Sequence, residues 1–276
     1  MTQYDLHCHS TRSDGLLSPT DVVRRAAARG VDVLALTDHD ELAGLDEARV
    51  AAHECGIRLI DGCELSVTWR STTIHVVALG IDAGHAALAD GLDEVRRGRD
   101  ARARRIGESL ADAGIPDAFE GALAYVTSAR LVSRTHFARH LIDKGHARDM
   151  KDAFKRFLTA GKPGHVPHAW ATLSQAIDWI HGAGGQAVIA HPGRYKLTHA
   201  GLREMVREFR DIGGHGIEVV SPSHTRAQYD EFAALARVCG LKASCGSDFH
   251  GPGESRFDFG ELPPLPSGVE PIWTGW

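Results

Sequence analysis

Seven short apolar runs, most of them separated by stretches with helical caps and periodicity, set the strongest limit on what this chain can fold into. The runs are Tyr4–Leu6, Val31–Leu36, Ile57–Ile60, Ile74–Leu79, Ala187–Ala190, Gly216–Val220 and Lys242–Cys245. Val31–Leu36 (VDVLAL) is β-rich and almost continuously apolar, as strands buried on both faces are. Between the runs, Ser18 caps a helix with Pro19 at its first position, and Gly30 ends it. Ala43–Cys55 stops before Gly56, and Thr172–His181, His199–Ile212 and Thr225–Val238 also run up to glycines. Such alternation predicts an α/β fold with a parallel sheet, closed or doubly wound. Seven strands fit an incomplete (β/α)7 barrel better than an eight-fold one.

The pattern breaks once. From about residue 84 to 170 no strand is evident, and Leu88–Ala113, Ser133–Lys144 and Asp149–Leu158 read as helices. We therefore divide the chain into a barrel domain, 1–83 plus 171–276, and a helical insert domain, 84–170, between strands four and five. After Gly260 comes a proline-rich tail, expected to be an irregular strap docked by Trp273 and Trp276.

At 276 residues the chain suits one α/β domain with an insert. Its formal charge of −5 argues against a generally basic nucleic-acid coat. The five cysteines are odd in number and form no CxxC pair, so a disulfide framework is not expected and a reducing cytoplasm is. The start, MTQYDLHCHS, lacks a signal-peptide pattern, and no apolar run is long enough to cross a membrane.

Histidine, at 17 copies, is over-represented, and its placement is informative. His7 and His9 are two apart, so on an extended segment they share one face, and Asp14 follows in a Ser-Asp-Gly turn. The second run ends in Thr37–Asp38–His39–Asp40. The third leads to Glu64, the fifth ends in His191, and the sixth passes through Glu218 to His224. The seventh ends in Asp248–Phe249–His250. Six of the seven strands thus deliver Asp, Glu or His at or beyond their C-terminal ends, where α/β folds keep their sites. The exception is His75, early in its run. The carboxylate-plus-imidazole mix without cysteine suits Mn, Fe or Zn.

The segments HCHSTRSDG, LTDHD, GCELS, the histidine in TIHVVALG, AHPGR and GSDFH, in that order from residue 7 to 250, resemble the PHP (polymerase and histidinol phosphatase) family of metal-dependent phosphoesterases. The resemblance implies a distorted seven-stranded barrel holding two to three divalent ions, with Mn2+ expected. It implies His7, His9, Glu64 and Asp248 around one ion, with Glu64 bridging to a second held by His75 and His191. Asp14, His39 and His250 would hold a third. Asp38 is expected to orient a ligand histidine, and Cys8 to point away into packing. In this reading Asp248, His191 and Glu64 are catalytic, and a metal-activated hydroxide attacks phosphorus without a Ser or Cys nucleophile.

The insert resembles the subgroup acting on nucleotides, through Ser133–Arg139 (SRTHFAR) together with HPGR. This implies removal of the 3′-phosphate from 3′,5′-bisphosphorylated nucleosides, with 5′→3′ trimming of 5′-phosphorylated RNA as a further activity. Ser133, Arg134, His136, Arg194 and His224 are the candidate substrate contacts, Arg134 as phosphate clamp at a helix start. His224 is also a candidate proton donor to the leaving group, and Lys162 is a weaker contact. The arginine-rich Arg96–Arg105 reads as a solvated helix face. A nucleotide or short RNA is the expected partner, with neither a membrane nor an obligate protein partner. Two other readings stay open: a small-molecule phosphatase of the histidinol phosphate type, and a non-catalytic metal-binding module.

Overall fold

The computed structural model describes residues 2–126 and 129–276. The barrel strands are β1 (Tyr4–Asp5), β2 (Val33–Leu36), β3 (Arg58–Trp69), β4 (Thr72–Leu79), β5 (Ala171–Thr172), β6 (Gln186–Ile189), β7 (Gly216–Val220) and β8 (Lys242–Cys245). They pair in the order β1-β2-β3-β4-β6-β7-β8, and β5 pairs only with β3. Leu6 N–H donates to Cys245 O at 3.0 Å and Asp248 N–H to His7 O at 2.8 Å, bringing the first and last strands together into a nearly closed barrel. Helices α1 (Pro19–Ala28), α2 (Leu45–Cys55), α7 (Leu173–Gly182), α8 (His199–Asp211) and α9 (Arg226–Cys239) belong to the barrel. Ser18 caps α1 by accepting from Asp21 N–H at 3.1 Å, with Pro19 at the first turn, as its sequence predicts.

The sheet corrects the expectation of an all-parallel barrel. The third strand does not end at Ile60. It continues to Trp69 and folds back as an antiparallel hairpin with β4, which also runs antiparallel to β6. The apolar signal stops early because Glu64 and Ser66 are buried polar residues, each less than 2% exposed. The two-residue β5 is too short to leave any periodic signature.

This reversal explains His75. An antiparallel strand begins at the rim where its parallel neighbours end, so a residue early in β4 faces the same basin as residues at the ends of β2 and β6. Below that rim, Leu6, Val33, Ala35, Ile60, Val77, Leu79, Val188, Ala190 and Ile272 form one buried cluster that fills the barrel. The tail closes its far end. Ile272 N–H donates to Ala243 O at 2.8 Å, the Trp273 ring stacks on Tyr4 at 4.1 Å, and Trp276 donates to Gln186. No helix is long and apolar enough to cross a membrane among the described residues.

Between β4 and β5 lie α3 (Ala86–Asp112), α4 (Ala118–Leu123), α5 (Arg134–Asp143) and α6 (Met150–Ala153), with a five-residue π-helix at Phe154–Leu158. Helix α3 serves two cores. Leu88 and Leu92 pack in the barrel cluster, whereas Ala103, Ile106 and Leu110 pack with Phe137 and Leu141 in a separate one.

Candidate metal centre

The pleat of the first strand sets the centre. His7 and His9 turn inward, and Cys8 turns outward into a core with Leu34 and Leu36, its thiol donating to Ala35 O. The backbone around them is crowded enough that a Cβ at Gly246 would lie 2.2 Å from that of His7. Of the four non-glycine residues with positive φ among the described residues, three, Asp40, His191 and Asp248, lie at this rim. Strain of that kind persists only where the surroundings enforce it.

All nine residues implied as ligands come together. Glu64 is the hub. Its Oε1 lies 2.7 Å from His75 Nδ1 and 2.9 Å from His191 Nε2, and its Oε2 lies 2.9 Å from His39 Nδ1, 3.2 Å from His7 Nε2 and 3.3 Å from His9 Nε2. Asp248 Oδ1 lies 3.3 Å from His9 Nε2 and 3.6 Å from His250 Nδ1, and Asp14 Oδ1 lies 3.3 Å from His250 Nε2. The sets overlap more than the sequence implies. His9 groups both with His7 and Asp248 and with Asp14, His39 and His250, and His39 also faces Glu64 and His75.

The electrostatics fit cations. Asp14 Oδ1, Glu64 Oε2 and Asp248 Oδ1 are buried without a hydrogen-bond donor, which is costly for carboxylates unless a cation meets them. Burial opposes ionisation of Glu64, but His39, His75 and His7 outweigh it and hold its pKa well below the usual range. Asp14, beside His39 and His250, and Asp248, beside Arg194 and His7, are likewise held low against burial. Burial, aided by neighbouring cationic groups, lowers His9 and His191 to about 3, leaving their lone pairs free. Convergent imidazoles and ionised carboxylates without thiolates are a donor set for Mn, Fe or Zn.

Further residues, without a role assigned from the sequence, orient these candidate ligands. Glu218 Oε1 accepts from His7 Nδ1–H at 2.6 Å, which turns Nε2 to the basin, and its Oε2 accepts from the His191 backbone N–H at 2.5 Å. The Tyr195 hydroxyl donates to Ala190 O and accepts from His75 N–H. Glu218 carried a signal, since it lies inside an otherwise apolar strand. Asp38, expected to hold a histidine, instead accepts from Ser10 N–H, Ser10 Oγ and Ser13 Oγ at 2.6–2.7 Å. It fixes the turn between His9 and Asp14, because those serines are the donors its buried carboxylate can reach.

A cavity of about 880 Å³ opens from the basin and is walled by the insert. Arg99, Arg102, Arg134, Arg194, Lys196 and Arg256 line it. Arg194 lies at the rim with Nη2 2.8 Å from Asp248 Oδ2. Arg134 donates only to Leu158 O, at 3.4 Å, and stacks over Phe154; Arg102 donates to Val166 O and stacks over Trp170. Neither meets a carboxylate among the described residues. Burial and the neighbouring Arg134 and Arg99 lower Arg102 to about 9. Such a pair calls for an anion.

The arginine-rich stretch is therefore only partly a solvated face. Arg97 and Arg104 are exposed, whereas Arg99 and Arg102 are buried, and Arg96 donates to Asp40 O. The signal was the three-residue spacing of Arg96, Arg99 and Arg102, which stacks them on one side of α3.

Three candidate contacts have other duties. Ser133 caps α5 and donates to Asp14 Oδ2 at 2.9 Å. His136, fully buried, completes the capping box by accepting Ser133 N–H at 2.9 Å, and does not line the cavity. His224 has both ring nitrogens engaged, Nδ1 with Val219 O at 3.0 Å and Nε2 with Gly193 N–H at 3.1 Å. It holds the turn from His191 to Arg194 and does not line the cavity, which leaves neither nitrogen for a proton to the leaving group or for a substrate contact. Lys162 is exposed and away from the cavity lining.

Comparison with known proteins follows the same lines. The family model described as "PHP domain" matches residues 5–214. A 3′,5′-nucleoside bisphosphate phosphatase of Chromobacterium violaceum is 50% identical over 99% of this chain and 96% of its own length. A 5′-3′ exoribonuclease of Haemophilus influenzae is 44% identical over 98% of each chain. Among solved structures, an amidohydrolase from Chromobacterium violaceum superposes with a TM-score of 0.96 at 50% identity, covering 99% of this chain and 95% of that one.

Proposed function

This chain belongs to the PHP domain family, and on that footing we propose that it is a metal-dependent phosphoesterase hydrolysing the 3′-phosphate of 3′,5′-bisphosphorylated nucleosides, such as adenosine 3′,5′-bisphosphate to AMP. The observation that carries the reading is the pairing of two anion-seeking sites in one cavity. One is the carboxylate–imidazole basin, and the other is Arg102 with Arg134, which have no carboxylate partner among the described residues. A substrate with two phosphates satisfies both.

His7, His9, Glu64 and Asp248 would hold one ion, Glu64, His75 and His191 a second, and Asp14, His39 and His250 a third, with Mn2+ as the expected metal. Loaded with divalent ions, the basin supplies Lewis acidity to the phosphoryl group and lowers the pKa of water. The chain's own residues do the rest. Arg134 and Arg102 fix the remote 5′-phosphate and so set the distance at which the 3′-phosphorus presents itself. Arg194, half exposed at the rim, offsets charge on the phosphoryl oxygens.

The same register accommodates an RNA 5′ end, whose first nucleotide carries a 5′-phosphate and a 3′-phosphodiester. The 44% identity to an exoribonuclease favours that second activity. The insert, residues 84–170, is in this reading the clamp-bearing domain. Five free cysteines suit a reducing compartment, the cytoplasm.

The test is a substrate panel with the Mn-loaded protein: adenosine 3′,5′-bisphosphate, histidinol phosphate and a short 5′-phosphorylated RNA. Release of phosphate from the bisphosphate and of 5′-mononucleotides from the RNA is expected. Rapid histidinol phosphate hydrolysis with inert nucleotides, or no turnover of any substrate with ions bound, would overturn the reading.

A further inference from the structure

Asp14, His39 and His250, the residues grouped with His9 at one end of the basin, all sit on barrel loops, yet each loop is gripped by the helical insert. Asp14 is held twice. Its Oδ2 accepts from Ser133 Oγ at 2.9 Å, and its backbone carbonyl accepts from Arg139 Nη2 at 2.7 Å. The same guanidinium forks onto Glu254, with Nε donating to Oε1 at 2.9 Å and Nη2 to Oε2 at 2.7 Å. Glu254 adjoins Ser255, whose Oγ accepts the His250 backbone N–H at 2.7 Å. The His39 loop is caught through the next residue. Arg99 donates to the Asp40 carboxylate and Arg96 to its carbonyl, and Asp40 is one of the positive-φ residues.

At the other end, among the described residues, the insert reaches only Ser66, whose Oγ accepts from Arg99 at 2.8 Å, and bonds no ligand loop directly. The contacts that orient His7, His75 and His191 come from Glu218 and Tyr195, both of the barrel. Arg139 itself is 7% exposed and, among the described residues, hydrogen-bonds only Glu254 and the Asp14 carbonyl, and it plays no part in the phosphate clamp. A buried arginine bidentate to one carboxylate and bonded to a ligand's own backbone is a rigid tie between two loops.

Resting on the metal reading above, we propose that Arg139 is a positioning residue for the third ion, so that the insert sets the affinity of that ion while the barrel alone sets the affinity of the other two. Ser133 assists by orienting the Asp14 carboxylate. The insert thereby links substrate capture to completion of the metal centre, since Ser133 on Asp14 and Arg134 on the cavity are consecutive residues of one helix start.

The experiment is equilibrium dialysis of the full-length protein against Mn2+, with bound metal counted and melting temperature recorded in parallel. Wild type is expected to show two tight ions and one weaker. Arg139→Ala should weaken only the weaker class, about 10–100-fold, the usual loss when a ligand's orienting partner is removed. Arg139→Lys, which keeps the charge but not the fork, should fall between. Ser133→Ala, a smaller cut that serves if Arg139→Ala fails to fold, should weaken the same class by a smaller factor. A wild type that saturates at two ions would overturn the proposal, as would Arg139→Ala shifting all classes together or none. Phosphate release from the bisphosphate by wild type is read in the same samples. Turnover with two ions would leave the phosphoesterase reading standing while this inference falls.

Discussion

His7 and His191 are held by Glu218, a residue of the same barrel, whereas Asp14 and the His250 loop are held by Ser133 and Arg139, residues of the helical insert. The two ends of the basin also use histidine in parallel. His224 braces the turn that carries His191, and His136 braces the cap that carries Ser133, each buried and each lowered to about 4, chiefly by burial. The difference is one of provenance. In the proposal above, the barrel's own residues complete one end, and the docked insert completes the other. Glu64 spans both, touching His7 and His191 on one side and His39 on the other, and His9 and Asp248 also reach across.

That hub gives the largest expected effect. Glu64→Gln should lose about 10³-fold or more in turnover, since several kcal/mol of charge stabilisation depend on the ions it bridges. Metal should leave both ends. Loss of ions from one end only, by metal counting, would break the idea of a shared hub. Next comes the clamp. Arg134→Ala should raise KM for the bisphosphate about 10–100-fold with little change in kcat, the loss expected for a charge-assisted contact made equally in ground and transition states. Steady-state kinetics that leave KM untouched would remove Arg134 from the substrate.

The paired histidines test whether the two ends are braced alike. Each has a folded pKa of about 4 against an unfolded value of 6.5. The unfolded chain therefore binds protons first as pH falls, so the stability each contributes is full above pH 6.5 and is lost toward pH 4, up to roughly 3 kcal/mol. His224→Gln and His136→Gln should each flatten the fall in stability across that window, measured by denaturant melts of metal-free protein; unchanged slopes would refute the assignment. Smallest is Arg104→Ala on the exposed side of α3, expected within about 0.5 kcal/mol of wild type and with RNA cleavage unaltered. A clear loss of cleavage there would mean that the outer face of the insert reads RNA.

Much of this was legible in the sequence, for physical reasons. The residues expected to hold metal sit at strand ends because the barrel has one functional rim, so the motifs from His7 to His250 point to the basin in which these side chains converge. The capping residue Ser18 places the start of its helix. The antiparallel hairpin was hidden because the buried Glu64 and Ser66 interrupt the apolar run that normally reports a strand. Asp38, His136 and His224 make structural contacts that the sequence does not show, because sequence gives a residue's chemistry but not which neighbours have already satisfied it. The buried side of α3 was visible only as a three-residue spacing, which fits an exposed helix equally well until the packing partner is known.

The central claim, that basin and clamp act on opposite ends of one bisphosphate, is tested most directly by the regiochemistry of hydrolysis in H₂¹⁸O. With adenosine 3′,5′-bisphosphate and Mn-loaded protein, ³¹P NMR and mass spectrometry should find AMP with its 5′-phosphate intact and ¹⁸O only in the released inorganic phosphate. Adenosine 3′-monophosphate as product, or ¹⁸O in the nucleotide, would contradict it.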